Sequence, residues 1–448
     1  MEERKNEYCM KIPRAAAQII RTIENAGYEA FVVGGCVRDM ILQKEPQDWD
    51  ITTSAKPEVV QALFHRTIAT GIKHGTVTVL IDKVGYEVTT YRIDGEYEDG
   101  RHPKQVEFTA SLVEDLRRRD FTINAMAYSP EKGIIDLFGG QEDLQAGIIR
   151  CVGEAKERFT EDALRILRAL RFSAQLGFEI EEKTQAAIRA LAPNLNKISK
   201  ERIQVELDKL LCSPHPERME LAYELGVSQV ILPEWDRMME TPQNTPYHMG
   251  TVGLHTLEVM KATPPEHYLR WAAFLHDVGK PQTRTTDENG RDHFHGHEHV
   301  GAKMAENILK GLKFDTNTIR TVSKLVEVHG NKPTLTLAGI RRSMSKIGPE
   351  LYPYFIKIQE ADAAGKSEYG KASSREHLAF LKQAYEEITR AGQCLTLKDL
   401  AVNGSDLMAV GIEKGPMLGE YLKKLLDYVV EHPEKNTKED LLVLVKEK

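Results

Sequence analysis

Residues 31–53 constrain this chain more tightly than any other stretch. Phe31-Val32-Val33 runs directly into Gly34-Gly35, and the residues that follow can begin a short helix carrying Arg38. A strand, a glycine turn and a helix start present backbone N–H groups that can hold a phosphate. Arg38 adds a planar fork of donors suited to phosphate oxygens. Past a polar turn comes Asp48-Trp49-Asp50-Ile51. In a strand, residues two apart share a face, so Asp48 and Asp50 are expected to project together. Two carboxylates on one face repel unless a divalent cation lies between them. A Gly-Gly turn or a D-x-D alone is commonplace, but here they follow one another closely. A triphosphate cradle beside a Mg²⁺-binding pair points to nucleotidyl transfer with two metals.

At 448 residues the chain exceeds one ordinary domain, and three or four units are expected. An apolar fraction of 41% and a charged fraction of 28% suit a soluble protein with sizeable cores. No apolar run approaches the roughly 20 residues of a membrane span, and the start, MEERKNEYCMKIPRAA, does not read as a signal peptide. Five scattered cysteines without a C-x-x-C pair fit reduced thiols and a cytoplasmic location. A net charge of −7 argues against a sequence-wide polyanion binder, although local basic stretches can still hold nucleic acid.

Helical spacing over 13–26 stops at Gly27, and strands are expected at 29–33, 48–52, 76–81 and 85–91, with a helix at 56–65. Glu87, inside YEVTTYR, is a candidate third carboxylate. Asp94 to Phe108 is polar and punctuated by Gly and Pro, so it reads as a loop, and a loop of that length beside an active site is often functional. Arg117-Arg118-Arg119 can hold a triphosphate or an RNA backbone, although a charge run more often forms a solvated face. IIDLFGGQEDL closes the first domain.

From about 157 to 230 the pattern is helical, with Thr160 as an expected N-cap and acidic residues ahead of arginines. Asp162 and Arg165 lie three apart and are expected to be neighbours on one helix face. The ordinary role of such a pair is an ion bridge. The sharper one is base reading. Cytosine and adenine both offer an exocyclic amine beside a ring-nitrogen acceptor, which a carboxylate and a guanidinium match. Uracil and guanine would leave buried polar groups unpaired. Arg168 and Arg171 continue the series toward a triphosphate.

GGCVRD, DWDIT, RRRDFTINAMAY and EDALRILRALRF, in that order, resemble the class II tRNA nucleotidyltransferases of bacteria and eukaryotes, which comprise the CCA-adding enzymes and the poly(A) polymerases. The resemblance is strongest over residues 13–180. It implies template-independent addition of C, C and A to the 3′ end of tRNA from CTP and ATP with Mg²⁺. Gly35, Arg38, Arg119, Asp162, Arg165, Arg168 and Arg171 would then contact the nucleotide, and Asp48 and Asp50 would hold metal with Glu87 as third carboxylate. The 94–108 segment matches the family's flexible loop that switches from C to A addition. That argues against a CC-adding specialist and leaves an A-adding specialist open.

Nine of the 15 histidines fall between His248 and His329. Helical patterns carry most of them, so imidazoles and carboxylates from several helices can converge on a transition metal. The set H…HD…H…H…D resembles the HD phosphohydrolase superfamily over roughly 245–365. That resemblance implies a core of His255, His276, Asp277 and Asp362, with His297 and His329 as ligands of a second metal and His295 and His299 as rivals for the place of His297. A metal-bound water would supply the nucleophile for a phosphoester. Beyond Lys366, helix signals return through the Pro416 helix start and resemble the family's C-terminal tRNA-holding region.

The expected architecture is α+β. A small mixed-sheet, polymerase-beta-like nucleotidyltransferase head (1–145) precedes an all-helical neck (146–244), an HD domain (245–368) and a C-terminal helical tail (369–448). The competing readings are an A-adding-only or poly(A)-adding enzyme, an RNA-binding protein with an inert transferase site, and an HD-centred hydrolase with an RNA-holding head.

Overall fold

The computed structural model describes residues 11–94, 106–248 and 250–446. The chain divides into two compact units, Met1–Ile231 and Leu232–Lys448.

In the first unit α1 (Arg14–Asn25) buries Ala16, Ile19, Ile20 and Ile23 at the i, i+3, i+4, i+7 spacing of one helix face. Each buried isoleucine contributes about 2 kcal/mol of apolar transfer. Gly27, at φ +89°, ends the turn that leads into the sheet. In chain order there follow β1 (Ala30–Val33), α2 (Gly35–Ile41), β2 (Ile51–Thr53), α3 (Pro57–Leu63), β3 (Thr67–Gly71), β4 (Thr76–Ile81) and β5 (Val84–Thr90). Then come β6 (Arg92–Asp94), β7 (Val106–Phe108), α4 (Leu112–Arg117), β8 (Met126–Ser129), β9 (Gly133–Asp136) and α5 (Gly140–Ala146). Seven strands make one sheet in the order β3-β4-β5-β2-β1-β8-β9. Only the β2–β5 pair is parallel, and the other five contacts are antiparallel. The sheet is therefore mixed. All four residues of β1 are buried, as a central strand covered on both faces requires. Phe31 and Val33 pack with Tyr91, Leu116 and Ala127 in the core beside α4.

The helices α6 (Ala155–Glu161), α7 (Leu164–Leu176), α8 (Glu182–Leu191) and α9 (Lys200–Leu211) follow. α7 is the buried axis of this bundle, with Leu164, Ile166, Leu167, Ala169, Leu170 and Phe172 among its inward residues, and α9 packs along it.

The second unit is helical apart from one two-stranded ribbon. Six of its histidines, His255, His267, His276, His297, His299 and His329, ride on helices Val252–Ala262, His267–Leu275, His297–Gly311 and Thr316–Val328 or directly follow them. Trp271, Phe274 and Phe314 form its aromatic core through edge contacts of 6.0 and 4.9 Å. Among the described residues no helix is long and apolar enough to cross a membrane, and Cys36, Cys151, Cys212 and Cys394 are free thiols.

The α+β class and the mixed head sheet agree with the sequence reading. Three details differ. The strand expected at 48–52 begins only at Ile51, so Asp48 and Asp50 lie in the extended lead-in to β2. β8, inside the arginine-rich RRRDFTINAMAY stretch, carries no alternation that would announce it. The helix expected from 157 breaks at Asp162. Of the 94–108 loop, residues 95–105 fall outside the described residues; its ends pair as β6 and β7.

Candidate functional site

In the first unit, the turn after β1, the lead-in to β2 and one face of α7 line a cavity of about 770 Å³. Gly34, Gly35, Arg38, Asp48, Asp50, Arg119, Arg168 and Arg171 all reach it. Gly34 holds φ +80°, and a Cβ there would stand 3.1 Å from Arg119 Nη1. The positive φ demands glycine, and the arginine tip leaves little room besides. The Gly34 amide donates to the Met126 carbonyl at 3.1 Å, which ties the turn to β8.

Register places the third carboxylate. Ile51 pairs with Val88 across the parallel contact, so Glu87 falls beside Asp50. Partial loss of water raises the Asp50 carboxyl above its usual range, and the Asp48 charge adds to this although Arg119 opposes it. Glu87 is raised by desolvation first, then by the charges of Asp50 and Asp48. Three oxygen-donor groups, two of them with carboxyls raised by burial and by neighbouring carboxylate charge, fit a hard divalent cation such as Mg²⁺.

The arginines are held by carboxylates that sequence reasoning did not single out. Arg38 donates to Asn124 at 2.7 Å and pairs with Asp39 at 2.8 Å. Buried Asp115 takes Arg118 at 2.9 Å and Arg119 at 3.3 Å, and accepts from the Thr52 hydroxyl at 3.1 Å. The i, i+3 and i, i+4 spacing from Asp115 to Arg118 and Arg119 was the local signal for this anchor. Asp120 pairs with Arg168 at 2.6 Å. Burial works against its charge, but Arg168 and Arg165 outweigh that and hold it down at about 2. Arg171 pairs with Glu206 of α9 at 2.8 Å and lies 4.1 Å over the Phe172 ring. Burial pushes its guanidinium down to about 10 despite that partner. Guanidinium groups fixed in this way are pre-oriented for a polyanion.

Asp162 and Arg165 are not the helix-face pair expected. Asp162 is extended (φ −143°, ψ 103°) and sits between α6 and α7. Its Oδ1 accepts from the Leu164 amide at 3.0 Å at the start of α7, whereas Thr160, the expected N-cap, lies inside α6 and donates to the Lys156 carbonyl. The Asp162 carboxylate pairs with Arg202 of α9 at 2.7 Å. Arg165 turns to Glu161 at 2.5 Å and donates to the Arg118 carbonyl at 2.9 Å. A carboxylate at the extended junction between two helices is not held to the i, i+3 geometry of a continuous one.

The second unit gathers the histidines as the spacing suggested. Among the described residues, two groups have ligand atoms all within 4.8 Å of one another: His255, His276 and Asp277, and Asp277, His297 and His329. Asp277 belongs to both. His276 Nε2 lies 3.1 Å from its Oδ2, and His297 and His329 Nε2 lie 3.4 and 3.6 Å from its Oδ1. Asp362 Oδ1 stands 3.1 Å from His255 Nε2. Close approach makes this possible. A Cβ on Gly279 would lie 2.3 Å from the His297 carbonyl and 2.6 Å from the Gly301 amide.

Each of these four imidazoles is oriented by a backbone carbonyl on its Nδ1: Ala273 for His276 (2.7 Å), Phe294 for His297 (2.7 Å), Val326 for His329 (2.7 Å) and Gly365 for His255 (3.0 Å). With Nδ1 engaged in this way, each Nε2 faces a carboxylate oxygen, and His276 Nε2 is buried without a hydrogen-bond partner. Imidazole nitrogens and carboxylate oxygens gathered like this fit a borderline transition metal whose ligands are fixed by outer hydrogen bonds. Burial opposes the Asp277 charge, but His276 and Lys280 hold it well below the usual range. Lys280 Nζ at 2.6 Å from Asp277 and Lys366 Nζ at 2.6 Å from Asp362 were not foreseen. His297, not its rivals, reaches the cluster. The His299 side chain is 82% exposed beside Glu327, and His295 stacks on His293.

Three family models match stretches of the chain. The poly A polymerase head domain model matches residues 30–150, the RNA and SrmB-binding site of polymerase A model matches 177–239, and the tRNA nucleotidyltransferase domain 2 model matches 298–445. The last span crosses the expected HD–tail boundary at 368. The CCA-adding enzyme of Leuconostoc mesenteroides is 37% identical over 416 residues, covering 93% of this chain and 91% of the relative. That of Enterococcus faecalis is 36% identical over 434 residues, covering 97% and 95%. The Bacillus stearothermophilus CCA-adding enzyme, solved in complex with CTP, superposes with a TM-score of 0.73 at 31% identity over 98% of both chains. The Thermotoga maritima enzyme, solved with tRNA, shares the fold at a TM-score of 0.58 and 20% identity, over 98% of this chain and 96% of that one. With its glycine turn, acidic lead-in and arginine-lined α7 in one cavity, and with this identity along nearly its whole length, the chain belongs to the CCA-adding enzymes of the poly(A) polymerase family.

Proposed function

We propose that this chain adds C, C and A to the 3′ end of tRNA from CTP and ATP by two-metal nucleotidyl transfer. The observation that carries the reading is the single cavity shared by Asp48 and Asp50, the Gly34-Gly35 turn, and Arg38, Arg119, Arg168 and Arg171. Asp48, Asp50 and Glu87 are the residues for Mg²⁺, which when bound would acidify the attacking hydroxyl and screen the triphosphate. The tRNA 3′ oxygen forms a bond to the α-phosphorus, the bond from that phosphorus to the β-phosphate oxygen breaks, and pyrophosphate leaves toward Arg38 and the glycine turn. Positioning and fixed charge supply most of the acceleration. Asp162 and Arg165 select the base by accepting from its exocyclic amine and donating to its ring nitrogen. For this, the Arg165 guanidinium must turn from Glu161 when the nucleotide enters. Nucleotide incorporation on tRNA lacking all three terminal residues tests the reading. Sequential C, C and A supports it, whereas adenosine alone identifies the A-adding alternative and no pyrophosphate release identifies an inert site.

A second reading concerns the HD-like cluster, and the Asp277-centred pair of ligand groups favours it. His255, His276, Asp277 and Asp362 would hold one transition metal, with His297 and His329 completing a second, and a phosphoester is the substrate class. Metal analysis of the purified protein tests this. At least one equivalent, lost in His276→Ala, supports the site, while less than one equivalent that the substitution leaves unchanged excludes it.

A further inference from the structure

α9 approaches the proposed nucleotide-reading residues from behind with two side chains of opposite charge, one turn apart. Arg202 faces both Asp162 oxygens, with Nη2 2.7 Å from Oδ2 and Nη1 3.4 Å from Oδ1. Glu206 holds Arg171 at 2.8 Å. Neither pair is a loose surface contact, since the Asp162 and Arg202 side chains are 16% and 21% exposed and those of Glu206 and Arg171 are 7% and 9%.

A free carboxylate has two inward lone pairs and can accept from two parallel donors at once. Guanine presents such donors, its ring N–H and its exocyclic amine, side by side. Cytosine and adenine present one amine beside an acceptor. In this chain the fork of Arg202 takes the inward lone pairs of Asp162, and the Leu164 amide takes a further position on Oδ1. What remains is one acceptor position on Oδ2. It suffices for a single amine and cannot match the paired donors of guanine. We infer that Arg202 is a specificity-positioning residue: it reads no base itself, but by occupying Asp162 it makes that carboxylate a single acceptor and so excludes guanine. The inference rests on the base-reading role of Asp162.

The test is single-turnover incorporation of CTP and of GTP at the first position of tRNA lacking its terminal residues, with kcat and KM separated. Arg202→Gln is expected to raise GTP use relative to CTP by about tenfold or more. Arg202→Lys, which keeps the charge but offers no fork, should fall between the parent and Arg202→Gln, and it serves alone if Arg202→Gln does not fold. tRNA affinity should not move. Asp162→Asn separates the two claims. If Asp162→Asn relaxes base choice while both Arg202 variants still refuse GTP, the positioning role is wrong and the reading role stands. If Asp162→Asn remains strict for CTP and ATP, both fall.

Discussion

The two candidate centres solve the problem of holding a cation in opposite ways. In the head, burial and the Asp48 charge raise the Asp50 carboxyl, and burial with the charges of Asp50 and Asp48 raises that of Glu87, with no oriented nitrogen donor among the three. In the second unit the donors are mostly imidazoles, buried, each fixed by a backbone carbonyl and arranged around one shared carboxylate. The first arrangement is unfavourable until a cation arrives and exchanges readily with water, which suits Mg²⁺ delivered with a nucleotide. The second is pre-organised and suits an ion that stays. The contrast turns on water access and donor type, and substitutions can break it at either end.

The largest effect is expected at the head. Asp48→Ala should lower C and A addition by on the order of a thousandfold while leaving tRNA binding intact, and filter binding beside the incorporation assay separates the two. Asp48→Ala should not alter metal retained after purification. His276→Ala is the converse: resident metal is lost, and transfer of C and A continues at the parental rate. Should His276→Ala also stop nucleotide transfer, the two centres are one functional site and the contrast collapses.

Next in size is a stability effect. Asp120 is buried and pairs with Arg168 at 2.6 Å, and its amide-bond acceptor role fixes the Phe121 backbone. Asp120→Asn leaves the Arg168 charge without its partner and should destabilise the first unit by about 3 kcal/mol, measured by urea unfolding. Asp120 is held at about 2, below its ordinary value. Its contribution is therefore present above the unfolded value near about 4 and is lost as pH falls toward 2. The difference between parent and Asp120→Asn should shrink over that window. A constant difference from pH 7 to pH 3 would show that the ion pair is not its source.

The head was largely legible because its signals are local. The Val33-Gly34-Gly35 turn, the D-x-D and the i, i+4 face of α1 each lie within a few residues, and the fold follows their periodicity. The arginines of α7 were legible as cations for the same reason. Their partners were not. Glu206 and Arg202 reach α7 and Asp162 from a helix about forty residues further on, and nothing in KERIQVELDKLL marks those two faces as inward. Asp162 failed the other way. An i, i+3 spacing to Arg165 reads as a helix pair only if the helix is continuous, and the extended backbone at Asp162 breaks it there. In the HD-like cluster the histidines were readable by type and spacing. The choice of His297 over His295 and His299 needed the rotation of its helix, whereas Lys280 lies at i, i+3 from Asp277 and was within reach of local spacing.

The smallest effect probes the repulsion on which the head's half of the contrast depends. Desolvation, then Asp50 and Asp48, raise the Glu87 carboxyl above its ordinary value. A carboxyl raised on folding binds more protons in the folded chain than in the unfolded one. What it adds to stability is therefore full below the ordinary value and is lost as pH rises through the raised one. At neutral pH the ionised Glu87 is a mild liability, and Glu87→Gln, which removes the charge and keeps the shape, should raise the first unit's thermal midpoint by about 1 °C in a chelator. Below about pH 4 both proteins carry a neutral group there and should melt alike. Added Mg²⁺ should reverse the order at neutral pH, because only the parent has the third charge to offer the cation. A Glu87→Gln protein that melts below the parent in chelator at pH 7 would mean that the trio is not repulsive and that the head needs no cation to hold its carboxylates together.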